Sequence, residues 1–195
     1  HDVIPADGHA QWVSVGGNLV EASLWSPALA PEGRGRSCLL LDEAGAAHAL
    51  SSPEGMAANT PAERVEVAPL GAFIAEADPA VIRSGLLGRL ADKTGAGIVS
   101  DKIAYLTGDD LPDNPFYDRF EVLEVTNLRA KAISAALTSR DAGSVEIKKR
   151  GTDINPDELR KSLKLGGGSA QLTVIATRLA GRHRAIICKR LPKNL

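Results

Sequence analysis

Lys148-Lys149-Arg150-Gly151 ends an alternating run in which Val145 and Ile147 are set against Glu146 and Lys148. Adjacent cations at a strand exit can grip phosphate groups, lysine as a point charge and arginine as a fork matched to two oxygens. Strand alternation puts Lys148 and Arg150 on one face and Lys149 on the other. Further cations follow: Arg160, Lys161 and Lys164 after Asn155-Pro156, then Arg178, Arg182 and Arg184 around a terminal hairpin. From Gly143 onward the chain has 12 Lys/Arg against 4 Asp/Glu, whereas the first 142 residues have 11 against 20. A net charge of −1 therefore hides a basic module joined to an acidic one, an asymmetry that points to a polyanionic partner.

Lys148, Lys149, Arg150, Arg178, Arg182 and Arg184 are the candidate RNA-binding residues, and several of them are expected to form one exposed positive patch, free of internal carboxylate partners. The competing reading is a solvated basic face with no partner. No Phe, Tyr or Trp follows Phe120, so this module lacks the stacking platform of single-strand readers. The RNA expected here is structured, such as tRNA or rRNA, held through phosphates and shape.

Other constellations carry less chemistry. Asn114-Pro115-Phe116-Tyr117 approaches the Asn-Pro-Pro-Tyr pattern that holds a target amine in amino-group methyltransferases, but the second proline is missing. The same segment reads equally as a proline turn that delivers Phe116 and Phe120 to a core. Asp109, Asp110, Asp113 and Asp118 could gather around a hard cation, yet their spacing matches no calcium loop. The histidines, His1, His9, His48 and His183, are scattered rather than set at zinc-ligand spacing, so no metal is expected. Gly33-Arg34-Gly35, Gly95-Ala96-Gly97 and Gly166-Gly167-Gly168 lack the strand-then-helix context of a nucleotide loop and read as turns and caps. Cys38 and Cys188 sit in apolar runs and read as buried reduced thiols of a cytoplasmic protein. No stretch resembles a signal peptide or membrane span. With His1 first and Met56 the only methionine, the chain reads as a fragment or processed product.

The elements that must position these groups follow from periodicity. Two strand pairs, around Gly16-Gly17 and Ala44-Gly45, open the chain, and a Pro/Gly-containing linker spans 53–64. An accessory α/β segment covers 65–119, with a strand at Leu70–Ala75, a strand at Ile103–Thr107, and one helix opened by Asp78-Pro79. That helix has Val81, Ile82, Leu86, Leu87 and Leu90 on a single face. From Phe120 the predicted order is β-α-β-α-β-β over 120–195, with Val122, Val125, Ile133, Leu137, Val145, Ile147, Leu159, Leu172, Val174 and Ile186 inward. The fold class is α/β to α+β.

Several ordered segments together carry a family resemblance. They are Trp12-Val13-Ser14, Leu19-Val20-Glu21-Ala22, Glu76-Ala77-Asp78-Pro79-Ala80-Val81-Ile82-Arg83, Ile103-Ala104-Tyr105-Leu106-Thr107, Phe120-Glu121-Val122-Leu123-Glu124-Val125, Ile147-Lys148-Lys149-Arg150-Gly151 and Thr177-Arg178. The succession resembles the C-terminal half of bacterial class I S-adenosylmethionine (SAM)-dependent methyltransferases with a THUMP-like C-terminal domain, the actinobacterial group in particular. The resemblance implies that residues 1–52 are the terminal antiparallel strands of a Rossmann-like methyltransferase sheet. It makes 120–195 a THUMP-like module that presents RNA. It also implies SAM as the cofactor of the intact protein, bound by an upstream domain of the same polypeptide. In this chain no SAM site, no catalytic residue and no turnover are expected. The alternative function is a non-enzymatic module that binds an acidic protein partner or its own acidic half. A third, a complete small enzyme built on Asn114–Tyr117, rests on that motif alone.

Overall fold

The computed structural model describes residues 4–193, so His1 lies outside it. β1 (His9–Val15) and β2 (Asn18–Trp25) form an antiparallel hairpin. Gly16 and Gly17 both take positive φ, as a two-residue hairpin turn requires. β3 (Gly35–Leu41) and β4 (Ala47–Ser51) form a second hairpin. The two join into a four-stranded sheet of order β2-β1-β3-β4, in which β1 and β3 run parallel. That parallel pair departs from the all-antiparallel expectation, because residues 26–34 carry the chain back across the sheet before β3 begins. β2 is an edge strand, and Leu19, Val20, Leu24 and Trp25 along it are exposed.

A second sheet has seven strands. They are β5 (Phe73–Ala77), β6 (Gly97–Ser100), β7 (Ile103–Gly108), β8 (Tyr117–Asn127), β9 (Ala142–Lys149), β10 (Ala170–Leu179) and β11 (Arg182–Arg190). Their order is β6-β7-β5-β8-β11-β10-β9, with only β9 and β10 parallel. The sheet curls: Ala180 N–H donates to the Val99 carbonyl at 3.3 Å and Gly181 N–H to Ser100 Oγ at 3.4 Å, bringing β6 against the β10–β11 turn. The curl creates a concave face packed with Ile74, Tyr105, Phe120, Ile175, Ile186 and Cys188.

Four helices cover the rest. α1 (Pro79–Arg83) and α2 (Leu87–Thr94) pack with Leu40, Leu50, Leu106 and Tyr117 in a cluster that joins the two sheets. Asp78 caps α1 by accepting from Ala80 N–H, and proline follows at the first helical position. The single helix expected here is broken at Ser84-Gly85. Gly85 takes φ 72°, and a Cβ there would sit 2.8 Å from Nη1 of the buried Arg36. α3 (Ala130–Thr138) and α4 (Pro156–Ser162) lie on the convex face over Val145, Leu172, Val174 and Ile187.

From β8 onward the element order is the expected β-α-β-α-β-β. The 119/120 boundary falls inside β8, whose other edge pairs with β5, so one sheet runs through both segments. Of the ten residues expected inward, Val125 is 41% exposed. A bulge opposite Ile187/Cys188 sets Val125 against Ile186, yet that end of β8 runs past the packed interior.

Candidate nucleic-acid interface

Strand direction gathers the cations. β8, β10 and β9 run one way and β11 the other, so the ends of β8, β9 and β10 and the start of β11 share one rim. That rim carries Arg129, Lys149, Arg150, Arg178, Arg182 and Arg184. Arg182 projects from the Ala180-Gly181 turn and is exposed. Arg184 donates to Asn127 Oδ1 at 3.1 Å, and Lys149 donates to the Ile154 carbonyl at 2.9 Å. No carboxylate within ion-pair distance of Arg129, Lys149, Arg178, Arg182 or Arg184 occurs among the described residues.

Lys148 and Arg150 differ, and here the expected carboxylate-free patch needs correction. Alternation along β9 turns both toward the concave face, where the curl brings β9 opposite β5. Lys148 Nζ lies 2.7 Å from Glu76 Oε2 and 3.4 Å from Glu146 Oε1, and Arg150 Nη2 lies 3.9 Å from Glu76 Oε1. Arg190 Nη1 meets Asp118 at 2.5 Å and its Nη2 meets Glu146 at 3.0 Å, while Lys193 reaches Asp118 at 3.3 Å. Phe120 is flanked by Lys148 and Arg190, and Arg150 lies over Tyr105 at 5.5 Å. Burial alone would lower the Lys148 pKa, but Glu76 and Glu146 outweigh it and raise it. For Asp118, burial works upward, yet Arg190 and Lys193 hold its carboxyl below the usual range. Burial pushes the Tyr105 phenol up, with the Glu76 charge adding to it.

These charges form a clasp across the open side of the curled sheet. They also line one wall of a cleft of about 920 Å³ between the two sheets. The other wall holds the Gly16-Gly17 turn, Asp42, Glu43 and His48 at the carboxyl ends of the parallel pair β1 and β3. His48 Nε2 sits 3.2 Å from Asp42 Oδ2, which closes the β3–β4 hairpin. Asp42 is held below its usual range mainly by the Ala46 backbone N–H.

Asn114–Tyr117 is also placed here, but its acceptors are already used. Asn114 Oδ1 takes the Phe116 N–H at 3.0 Å, and the Pro115 carbonyl takes Lys193 Nζ at 3.2 Å. Tyr117 donates to the Pro112 carbonyl at 2.6 Å. The segment is a proline turn that seats Tyr117 in the core, with Asn114 Oδ1 and the Pro115 carbonyl each already accepting one internal hydrogen bond. Among the described residues no group of His, Cys, Asp and Glu is arranged to hold a metal, and no helix is long and apolar enough to cross a membrane. Cys38 and Cys188 are buried free thiols, and burial pushes Cys38 up to about 12.

Sequence reasoning missed Glu76, Asp118, Arg190 and Lys193 as parts of this surface. Glu76 and Lys148 meet only because the sheet curls, and no local pattern links them.

A family profile described as THUMP domain-like matches residues 118–190, the stretch from β8 to β11. Two proteins of Mycobacterium tuberculosis, from strains CDC 1551 and H37Rv, are each 36% identical over 173 residues. Both are described as uncharacterized SAM-dependent methyltransferases. The match covers 89% of this chain and 45% of each relative, so the chain spans under half their length. A crystal structure from Porphyromonas gingivalis W83, of a protein assigned as a methyltransferase, superposes with a TM-score of 0.70. That superposition covers 98% of this chain and 47% of the other at 16% identity, a likeness of fold. Residues 118–190 are thus THUMP domain-like, and over most of its length the chain is similar to part of two mycobacterial proteins described as SAM-dependent methyltransferases.

Proposed function

We propose that this chain is the substrate-presenting part of a cytoplasmic SAM-dependent methyltransferase that acts on structured RNA. The observation that carries the reading is the division of the basic stretch into two sets. Cations on the concave face are paired with Glu76 and Asp118 of the acidic half and with Glu146. The rim set, Lys149, Arg178, Arg182 and Arg184 with Arg129, comes from four strand ends and is left for an external anion. Cations gathered on a rigid sheet rim grip phosphates whatever the base sequence. Phe120, the last Phe, Tyr or Trp, is buried, so base stacking at that rim would fall to the exposed His183 imidazole between Arg182 and Arg184. Buried free thiols fit a reducing compartment.

The SAM-binding and catalytic residues are assigned to a domain that precedes this part in the intact protein. The β2 edge supports that arrangement. A long edge strand with four exposed apolar side chains is what sheets normally cover or pair, and here it would continue into the catalytic sheet.

Binding of an RNA hairpin of about 20 base pairs tests the reading. Replacing Lys149, Arg182 and Arg184 by alanine should weaken binding similarly across stem sequences and flatten the dependence of log affinity on log salt by about one unit per lost contact. Equal affinity and slope for the triple variant and the wild type would leave the solvated-face reading in its place.

The second reading, docking of the basic stretch on its own acidic half, has direct support in Lys148, Arg150, Arg190 and Lys193. It accounts for those four cations and not for the rim.

A further inference from the structure

We propose that the cleft between the two sheets is a latched phosphate site, in which Glu76 holds Lys148 and Arg150 until a phosphodiester of rim-bound RNA displaces it. This inference rests on the RNA reading above.

Three observations converge on it. Glu76 is a hub, one oxygen facing Lys148 Nζ and the other facing Arg150 Nη2, and all three groups line the cleft. The Arg150 contact, at 3.9 Å, is the longest ion pair of the clasp, so the second cation is loosely held. The clasp itself sets Lys148, Arg150, Arg190 and Lys193 against Glu76, Asp118 and Glu146, one positive charge in surplus.

The full lining argues for a latch rather than an open anion site. Asp42, Glu43 and Asp78 also face the cleft, so with Glu76 and Asp118 its acidic groups outnumber its four cations. A free small anion is repelled there. A phosphate already tethered by the rim arrives at high effective concentration and exchanges with Glu76 as the partner of both cations. Arg150 sits one residue from Lys149, so the rim and the latch lie along one strand end. A strand of RNA crossing the rim would next meet this wall.

The test uses the 195-residue chain and the same RNA hairpin, with inorganic pyrophosphate as the untethered probe. Glu76→Gln releases Arg150 and leaves Lys148 with Glu146 alone, and should tighten RNA binding roughly threefold to tenfold, the scale of a partly exposed ion pair. The salt dependence should steepen by about one unit. Adding Lys148→Ala and Arg150→Ala to Glu76→Gln should abolish the gain. Wild-type chain should show no pyrophosphate binding at millimolar concentration. If Glu76→Gln fails to fold, Asp118→Asn frees Lys193 and leaves Arg190 with Glu146 alone, and should give the same direction of change. Rim-dependent RNA binding that Glu76→Gln leaves unchanged or weakens would overturn the latch alone. A gain that survives removal of Lys148 and Arg150 would overturn it too, as a general charge effect. Failure of every variant to bind the hairpin would overturn both the latch and the RNA reading.

Discussion

Gly151→Ala is the sharpest probe of how the rim is joined to the curled sheet. Gly151 follows Arg150 directly and takes φ 70°. A Cβ there would lie 2.2 Å from Ile103 Cδ1 and 3.3 Å from Arg178 Nε. Ile103 is 2% exposed and belongs to the concave cluster, so its methyl has little room to move. Left-handed backbone costs an L-residue about 1–2 kcal/mol. Forcing an extra methyl into a packed core costs about 1–3 kcal/mol. The substitution should therefore destabilise the fold by about 2–5 kcal/mol, a large share of the stability of a typical domain. Urea unfolding measures it: with m near 2 kcal/mol/M, the midpoint should fall by about 1–2.5 M. Ile103→Val removes the opposing Cδ1 and alone should cost about 0.5–1.5 kcal/mol. The double variant should be more stable than the two single costs added together, because the clash exists only when both atoms are present. A Gly151→Ala loss below about 0.5 kcal/mol, or strict additivity with Ile103→Val, would refute the close approach of this loop to β7.

Two further outcomes follow from the clasp and from α4. Asp118 and Glu146 are held below their ordinary range, so the stability they contribute is present above the unfolded values near 4 and is lost as pH falls through the folded ones. The unfolding free-energy difference between wild type and Arg190→Leu should shrink from pH 5 toward pH 2, and a difference constant with pH would contradict the pairing. Asn155 caps α4 by accepting from Asp157 and Glu158 N–H, and no residue of α4 is fully buried. Asn155→Ala should weaken α4 by about 1 kcal/mol, read as faster amide exchange in α4 with the β10–β11 hairpin unaffected.

The parts legible in the sequence were those set by local pattern. Cap-then-proline pairs at Asp78-Pro79 and Asn155-Pro156 marked two helix starts, and period-two apolar runs marked β8 to β11. The face assignment of Lys148, Lys149 and Arg150 came from the same alternation. What was not legible depended on distant partners. Glu76 showed no sign of being the counter-ion of Lys148, since only the curl brings β5 opposite β9. The break at Gly85 looked tolerable inside a helical apolar pattern, and the close approach of Arg36 that requires it is a tertiary fact. β6 is four residues long and starts at Gly97, so its composition read as a turn. The parallel union of β1 and β3 was hidden because each hairpin is complete in itself.

The sorting of charges along β9 bears on how the chain finds its own pairing. β9 joins β10 in parallel, with Ile147 opposite Val174 and Lys148 opposite Ile175. A slip by one residue would turn Lys148 and Arg150 under α4, against Leu159 and Leu163, and move Ile147 out to face Glu76. Lys148 would then enter the apolar layer that Ile147 now occupies, while Glu76 would keep only Lys149. The Lys-Lys-Arg run thus acts as a register lock, penalising the neighbouring alignment far more than an apolar strand of the same length would. The basic tripeptide is therefore a folding determinant as well as a surface for ligands, and single changes within it are expected to broaden the ensemble of strand alignments as the chain folds.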